Sequence, residues 1–230
     1  HFSLTQENYF SRPGDWISNS MISTYLKSKA LYKKMYIDKT ITFKETDPMK
    51  LGSIVDDWLT VGETDYCPKV LKRDDPEEFA RQKELNPKYL VTDTLWEKAT
   101  DIYTAILDAD FWKDGLDTAL MQVPMQGKLN GATVCGMADR IDKLPGDDFK
   151  YRLIDLKTVS AQKIATPEKW FYNCRDFGYF RQLALYRYLW SHLQGIPEEN
   201  VTCHHAVASY VQEGLVQIRL FTIPDALLDP

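Results

Sequence analysis

The sequence lacks the features that would place the chain in a membrane or in a disulfide framework. No uninterrupted apolar run approaches the roughly 20 residues that a membrane-spanning helix needs, and residues 1–10 show no basic segment followed by an apolar one. We therefore expect a cytoplasmic protein with no membrane partner. The four cysteines are far apart and form no CxxC pair, so we expect reduced packing thiols and no zinc knuckle, iron–sulfur cluster or disulfide framework: Cys67, Cys135, Cys174 and Cys203.

Net positive charge is missing as well. The 230 residues carry 28 Lys and Arg against 33 Asp and Glu, a formal net charge of -5, which argues against binding nucleic acid through bulk electrostatics alone. Residues 1–50 are the exception, with 8 basic against 5 acidic side chains. Their basic cluster fits either a phosphate backbone or an ordinary solvated helix surface: Lys27, Lys29, Lys33, Lys34 and Lys39.

The remaining composition is that of a globular protein, with 44% hydrophobic and 27% charged residues. We predict one domain over residues 1–230, mainly helical in residues 1–118 and built around a sheet in residues 119–230. Residues 65–87 are rich in proline and charge, which predicts a long surface loop.

The helical part has apolar residues at the spacing of amphipathic helices. We predict a first helix within residues 16–26 and a second within residues 51–60. A third is capped by Thr92 or Asp93 and ends near Gly115. Its apolar stripe is expected to face the core: Leu95, Ala99, Ile102, Tyr103, Ile106 and Leu107.

From residue 119 the apolar pattern changes to the alternation of strands. Residues 119–125 and 132–141 flank Asn130-Gly131, a strong hairpin signal. A second turn at residues 145–148 leads to residues 151–156. We predict three consecutive antiparallel strands.

A long helix and two further strands are predicted after this meander. The helix covers residues 167–192, and the strands cover residues 201–211 and 215–221. Together the elements predict an α/β or α+β fold with a central mixed sheet, including the antiparallel meander, flanked by helices. One side of the long helix is apolar: Tyr179, Leu183, Tyr186 and either Leu189 or Trp190.

Acidic residues on neighbouring strands carry the chemistry. Residues i and i+2 of a strand face the same side, so Asp155 and Lys157 project together, and a hairpin partner can bring Asp139 beside them. Two carboxylates suit Mg2+, which prefers oxygen ligands and keeps several waters. A lysine there can orient the attacking water or stabilise developing negative charge on a phosphoryl group.

A simpler interpretation stays open at this point. Asp155 and Lys157 can be a solvated strand face, and Asp139, Arg140 and Asp142 an exposed ion-pair set. Against it, apolar residues precede both acidic positions, as expected where buried strands end.

Three motifs carry a family resemblance. They are G-x-x-D-R-I-D at residues 136–142, L-I-D-L-K-T at residues 153–158 and Q-x-x-x-Y at residues 182–186. In this order they resemble the RecB-like branch of the PD-(D/E)xK nucleases. Phe171-Tyr172 and Gly178-Tyr179 make the pattern similar to nuclease domains of the exonuclease VIII (RecE) type of phage recombination systems.

The resemblance implies a metal site. Asp139, Asp155 and the main-chain carbonyl of Leu156 would be ligands, and Lys157 would be the catalytic lysine. The expected cofactor is Mg2+, with Mn2+ as an alternative.

Five further positions lie outside this core set. The resemblance implies that Gln182 and Tyr186, one helical turn apart, contact DNA or brace the site, with core packing as the alternative for Tyr186. The family's early-helix histidine is missing, and Asp56 stands there as a possible oxygen ligand, which leaves metal preference open. The pair His204-His205 is interpreted as structural.

The function implied is an exonuclease acting at double-stranded DNA ends. Its relatives digest 5'-to-3', work with a single-strand annealing protein and form ring-shaped homo-oligomers. Three alternatives remain: an endonuclease, a RecB-like nuclease serving a helicase, and a noncatalytic DNA-binding module on the same fold.

Overall fold

The computed structural model describes residues 4–11, 16–62, 65–115, 118–146 and 149–228. The chain begins with helix α1 (Gln6–Ser11), strand β1 (Ile17–Ser18) and helices α2 (Asn19–Lys27) and α3 (Lys29–Tyr32). The predicted first helix is therefore wrong at its start. Ile17 and Ser18 extend the sheet, and Ser18 then caps α2 by accepting the N–H of Met21 at 3.4 Å.

The predicted surface loop is wrong in part. Helix α4 (Asp47–Val61) precedes it, and the loop itself contains strand β2 (Cys67–Pro68) and helix α5 (Pro76–Gln82). Strand β3 (Leu90–Val91) pairs in parallel with β2. Buried Gln82 fixes the segment, because its amide donates to the carbonyl of Pro68 at 2.6 Å.

The third predicted helix is two helices, α6 (Asp93–Asp108) and α7 (Asp110–Lys113). Thr92 caps α6 as predicted, accepting the N–H of Leu95 at 3.3 Å. Four residues of the predicted stripe are buried, but Leu107 is exposed and Tyr103 is only half-buried beside Trp58. The buried four are Leu95, Ala99, Ile102 and Ile106.

Five longer strands build the central mixed sheet. They are β4 (Leu120–Leu129), β5 (Ala132–Lys143), β6 (Tyr151–Thr158), β7 (Val201–Gln212) and β8 (Leu215–Ile223). The β4, β5 and β6 strands form the predicted antiparallel meander. Strand β6 pairs in parallel with β7, β7 is antiparallel to β8, and β1 lies parallel to β5. Residues 147–148 of the predicted second turn lie outside the described ranges.

The predicted long helix is divided at Gly178. Helix α8 (Pro167–Phe177) ends there, and α9 (Tyr179–Gln194) begins at the next residue. Gly178 has φ +70°, a left-handed conformation that ends helices and that glycine adopts without a steric penalty. Two aromatic residues therefore flank one sharp change of direction.

Helices cover both faces of the sheet. Helix α9 packs on one face with Val123, Ala138 and Leu153, whereas α4 and α6 form a second core with Leu156 and Ala208. Because side chains alternate along a strand, these two cores lie on opposite faces. The described residues contain no helix that is both long and apolar enough to cross a bilayer.

Candidate functional site

The site lies where two central strands, β5 and β6, stop pairing. We call this point the fork. The pairing of β5 with β6 runs from Lys143 opposite Tyr151 to Arg140 opposite Ile154, and Asp139 and Asp155 come next on either side. A carboxylate oxygen of Asp139 accepts the main-chain N–H of Leu156 at 2.7 Å. The side chain thus takes the place of a backbone partner, which holds Asp139 against the strand that carries Asp155.

Lys157 is the cation of this fork. Its ammonium pairs with Asp155 Oδ2 and lies 3.3 Å from the carbonyl oxygen of Leu156. It also lies 5.0 Å from the centre of the Tyr179 ring, a cation–π distance. Burial opposes its charge, but Asp155 and Asp139 outweigh burial and raise the pKa of Lys157, so it remains an ammonium.

Asp56 on α4 is linked to the same fork by the side chain of Gln122. The sequence patterns did not indicate Gln122. Gln122 Nε2 lies 2.6 Å from both carboxylate oxygens of Asp56 and 3.5 Å from Asp139 Oδ1. Gln122 is buried and has φ +47°. Its neighbours Met121 and Val123 pack into different cores, so the alternation of β4 reverses here and aims Gln122 at the acidic residues.

The pKa values of the three carboxylates, those of Asp56, Asp139 and Asp155, are all raised. Burial, and then neighbouring Asp57, raise the pKa of Asp56 to about 6. Burial together with Asp56 and Asp155 raises the pKa of Asp139 well above its usual range. Burial also raises the pKa of Asp155 although Lys157 opposes it. One ammonium is too little positive charge for three crowded carboxylates, and a bound cation would relieve their repulsion.

The donor set fits a hard divalent cation. The three carboxylates and the carbonyl of Leu156 are oxygen donors, which Mg2+ and Mn2+ prefer. Within the described ranges, no three carboxylate, imidazole or thiolate groups yet surround one point, because the Gln122 amide lies between Asp56 and Asp139 and Lys157 lies against Asp155.

Helix α9 braces Asp155 from one side. Gln182 Nε2 donates to Asp155 Oδ1 at 3.1 Å and to Tyr186 Oη at 2.8 Å. Tyr186 is only 6% exposed and packs over Gly136, where a β-carbon would lie 2.5 Å from the ring. Tyr186 therefore lies in the core and accepts a hydrogen bond from Gln182, and its role in the site stays a prediction.

His205 on β7 lies next to Asp155. Parallel pairing sets it beside Asp155, with Nε2 at 3.8 Å from Oδ2 and Nδ1 at 3.7 Å from Cys174 Sγ. Burial lowers the pKa of His205 to about 3, so the imidazole is neutral. His204 faces away and contacts Thr202 and Thr222.

The exposed ion-pair interpretation of the G-x-x-D-R-I-D motif is wrong. Arg140 and Asp142 are 0% and 1% exposed, and their side chains are 2.6 Å apart. Arg152 joins them, and Arg140 also donates to the carbonyls of Trp112 and Asp114. This buried network anchors α7 to the sheet, which leaves Asp139 as the motif's contribution to the fork.

Fold and site together define the class of protein. A helix-flanked mixed sheet whose neighbouring strands bring two aspartates and a D-x-K lysine into one fork is the arrangement of a nuclease site. Residues 17–218 match the model of the PD-(D/E)XK nuclease superfamily, and the chain belongs to that superfamily.

One solved structure shares the fold. The chain is similar to the crystal structure of a protein named "Putative exonuclease" from Eubacterium rectale, with a TM-score of 0.69 and 22% identity over 99% of this chain and 80% of that one. At this identity the likeness shows a shared fold. A second structure, SSO0001, aligns over 88% of this chain and 82% of that one, at a TM-score of 0.30 and 15% identity, too low to support an argument. No curated protein sequence matches the chain.

Proposed function

We propose that this protein is a divalent-metal-dependent exonuclease that hydrolyses phosphodiester bonds at double-stranded DNA ends. The observation that carries the proposal is the convergence of Asp139, Asp155 and Lys157 in one fork of the sheet. Membership in the PD-(D/E)XK superfamily supports hydrolysis of nucleic acid. The similar fold of the protein named "Putative exonuclease" supports the choice of exonuclease.

The chain's own residues account for the main demands of the reaction. Asp56, Asp139, Asp155 and the Leu156 carbonyl would hold Mg2+ or Mn2+, which polarises a phosphoryl oxygen and favours hydroxide formation from bound water. Lys157 places a fixed positive charge where negative charge develops in the transition state. The bond from Gln182 holds Asp155 in place.

The finer part of the proposal is a RecE-like enzyme that digests 5'-to-3' in phage-type recombination, with an annealing protein as partner and a ring-shaped homo-oligomer as its assembly. What supports it is the order of the motifs and a basic surface, since all five lysines of the N-terminal cluster are exposed. Exposed lysines facing the inside of a ring would suit DNA, while the acidic remainder faces outward.

A noncatalytic DNA-binding module is the second candidate. The observation that favours it is Asp56, which stands where the family's early helix carries histidine and is held by Gln122.

One assay separates the candidates. We expect Mg2+-dependent digestion of linear duplex DNA and no cutting of a covalently closed circle. Cutting of the circle would identify an endonuclease. No Mg2+-dependent product on either substrate would indicate the noncatalytic module and contradict the proposal.

Replacing Asp56 with alanine is expected to weaken the affinity for Mg2+ or Mn2+ by about tenfold or more, with a smaller effect on DNA binding. In the wild type, protons compete with the cation, so affinity should rise with pH through about 6, where Asp56 ionises. This pH dependence should be shallower in Asp56→Ala. Calorimetric titration with Mn2+ between pH 5 and 8 measures both effects.

Asp47→Asn is the matched control, because Asp47 is an exposed carboxylate in the first turn of the same helix, α4. It should keep wild-type metal affinity. Unchanged metal affinity in Asp56→Ala would remove Asp56 from the ligand set.

A further inference from the structure

An exposed aromatic ring lies at the junction of α8 and α9, next to the fork. Phe177 ends α8 and is 52% exposed, although it is a large apolar side chain. Tyr179 begins α9, and the two rings are stacked, with centroids 5.7 Å apart and planes inclined by 23°. The left-handed Gly178 between them makes this stacking possible within three residues.

The stacked pair is continuous with the proposed active site. Tyr179 lies under the ammonium of Lys157 at 5.0 Å, and Lys157 pairs with Asp155. On the outer side, Lys163 Nζ lies 4.8 Å from the centre of the Phe177 ring. Two cations and two rings thus form one row from the buried carboxylate to the surface.

Core packing does not account for Phe177. Trp170 on the same helix is a core residue, since it is 2% exposed and packs against Phe221 and His205. Tyr172, by contrast, is 53% exposed, and Arg175 lies 5.1 Å from its ring. The outer surface of α8 therefore carries exposed aromatic rings beside charged groups, and Arg175 also pairs with Asp176.

Such a surface is suited to binding single-stranded nucleic acid. Every nucleobase offers a flat face to an aromatic side chain, and basic groups track the flanking phosphates. A base inside an intact duplex has both faces covered by its neighbours, so it cannot stack on protein. A terminal or unpaired base can.

We propose that Phe177, backed by the Tyr179 ring, is a stacking platform for a nucleobase at an unpaired or frayed DNA end, with Lys163 moving from the outer face of the ring to an adjacent phosphate. This inference rests on the proposed function, since it names the substrate form which that site takes. The platform would hold a single-stranded end beside Lys157 and would discriminate against the interior of a duplex.

The test is a binding measurement that needs no catalysis. Short single strands carry 2-aminopurine at the 5' or the 3' end, and affinity and fluorescence quenching are measured in EDTA. Wild type should quench the fluorescence at one of the two ends. Phe177→Ala should lose the quenching and about tenfold in affinity for the single strand, with little change for blunt duplex.

Two further variants sharpen the result. Phe177→Leu keeps apolar bulk without a π face and should behave like Phe177→Ala. Phe149→Ala is the matched control, because Phe149 is 61% exposed and lies between β5 and β6; it should bind like wild type. Wild-type quenching and affinity in Phe177→Ala would overturn the platform.

The experiments can contradict the stacking platform and the proposed nuclease activity independently. Wild-type protein that binds and quenches the single strand but makes no product in Mg2+ would contradict the proposed function and support the platform. Digestion of linear DNA by wild type, together with unchanged binding by Phe177→Ala, would overturn the platform and leave the proposed function standing.

Discussion

Asp155→Asn is expected to abolish DNA cleavage and to leave the fold and part of the DNA affinity intact. Asp155 is 1% exposed, lies against Lys157 and accepts a hydrogen bond from Gln182. Asparagine keeps the shape and one acceptor oxygen but removes the charge that a divalent ion requires. Gln182 still has its acceptor, and the Asp139 carboxylate still compensates the Lys157 ammonium, so the fold should remain intact. Cleavage of linear duplex and Mn2+ titration measure the effect.

Asp74→Asn is the matched control for the loss of one carboxylate, because Asp74 is 60% exposed and pairs with exposed Arg73. It should cleave like wild type. Near wild-type cleavage by Asp155→Asn would mean that the proposed site is wrong.

Lys157→Ala is expected to lose about 100-fold or more in single-turnover rate, roughly 3 kcal/mol of transition-state stabilisation, and much less in metal affinity. The reason is that the ammonium acts on the phosphoryl charge or the attacking water, not on the cation. Lys157→Arg should rescue only partly, because a planar guanidinium cannot place a compact charge at the same point. The rates are compared at saturating Mg2+, since without Lys157 the pKa of Asp155 rises further.

A surface lysine provides the comparison. Lys113 is 53% exposed and pairs with Asp108, so Lys113→Ala should stay within about 0.5 kcal/mol of wild-type stability and keep its rate. Full single-turnover activity in Lys157→Ala would contradict the mechanism even if DNA binding were observed.

Local patterns were enough to predict the centre of the sheet. The alternation around Asn130-Gly131 predicted the hairpin that carries Asp139, and the two-residue spacing predicted that Asp155 and Lys157 share a face. The structure places these three side chains together. Their roles in metal binding and catalysis remain predictions.

Long-range pairing explains what the sequence did not indicate. Which histidine of the pair faces Asp155 depends on the parallel register of β6 with β7, and that register joins segments 50 residues apart. Gln122 was not predicted, because its left-handed backbone reverses the alternation of β4. In a regular strand its side chain would point away from the acidic residues. Helix α5 did have a local signal, with Asp75 as cap and Pro76 in the first turn.

The most direct test of the account is single-turnover digestion of linear duplex DNA by wild type and Asp155→Asn, with Mg2+ and with EDTA. The account predicts product only from wild type and only with Mg2+, and loss of that product on adding EDTA. Cleavage in EDTA, or equal cleavage by the two proteins in Mg2+, would contradict a metal-dependent nuclease centred on Asp139, Asp155 and Lys157.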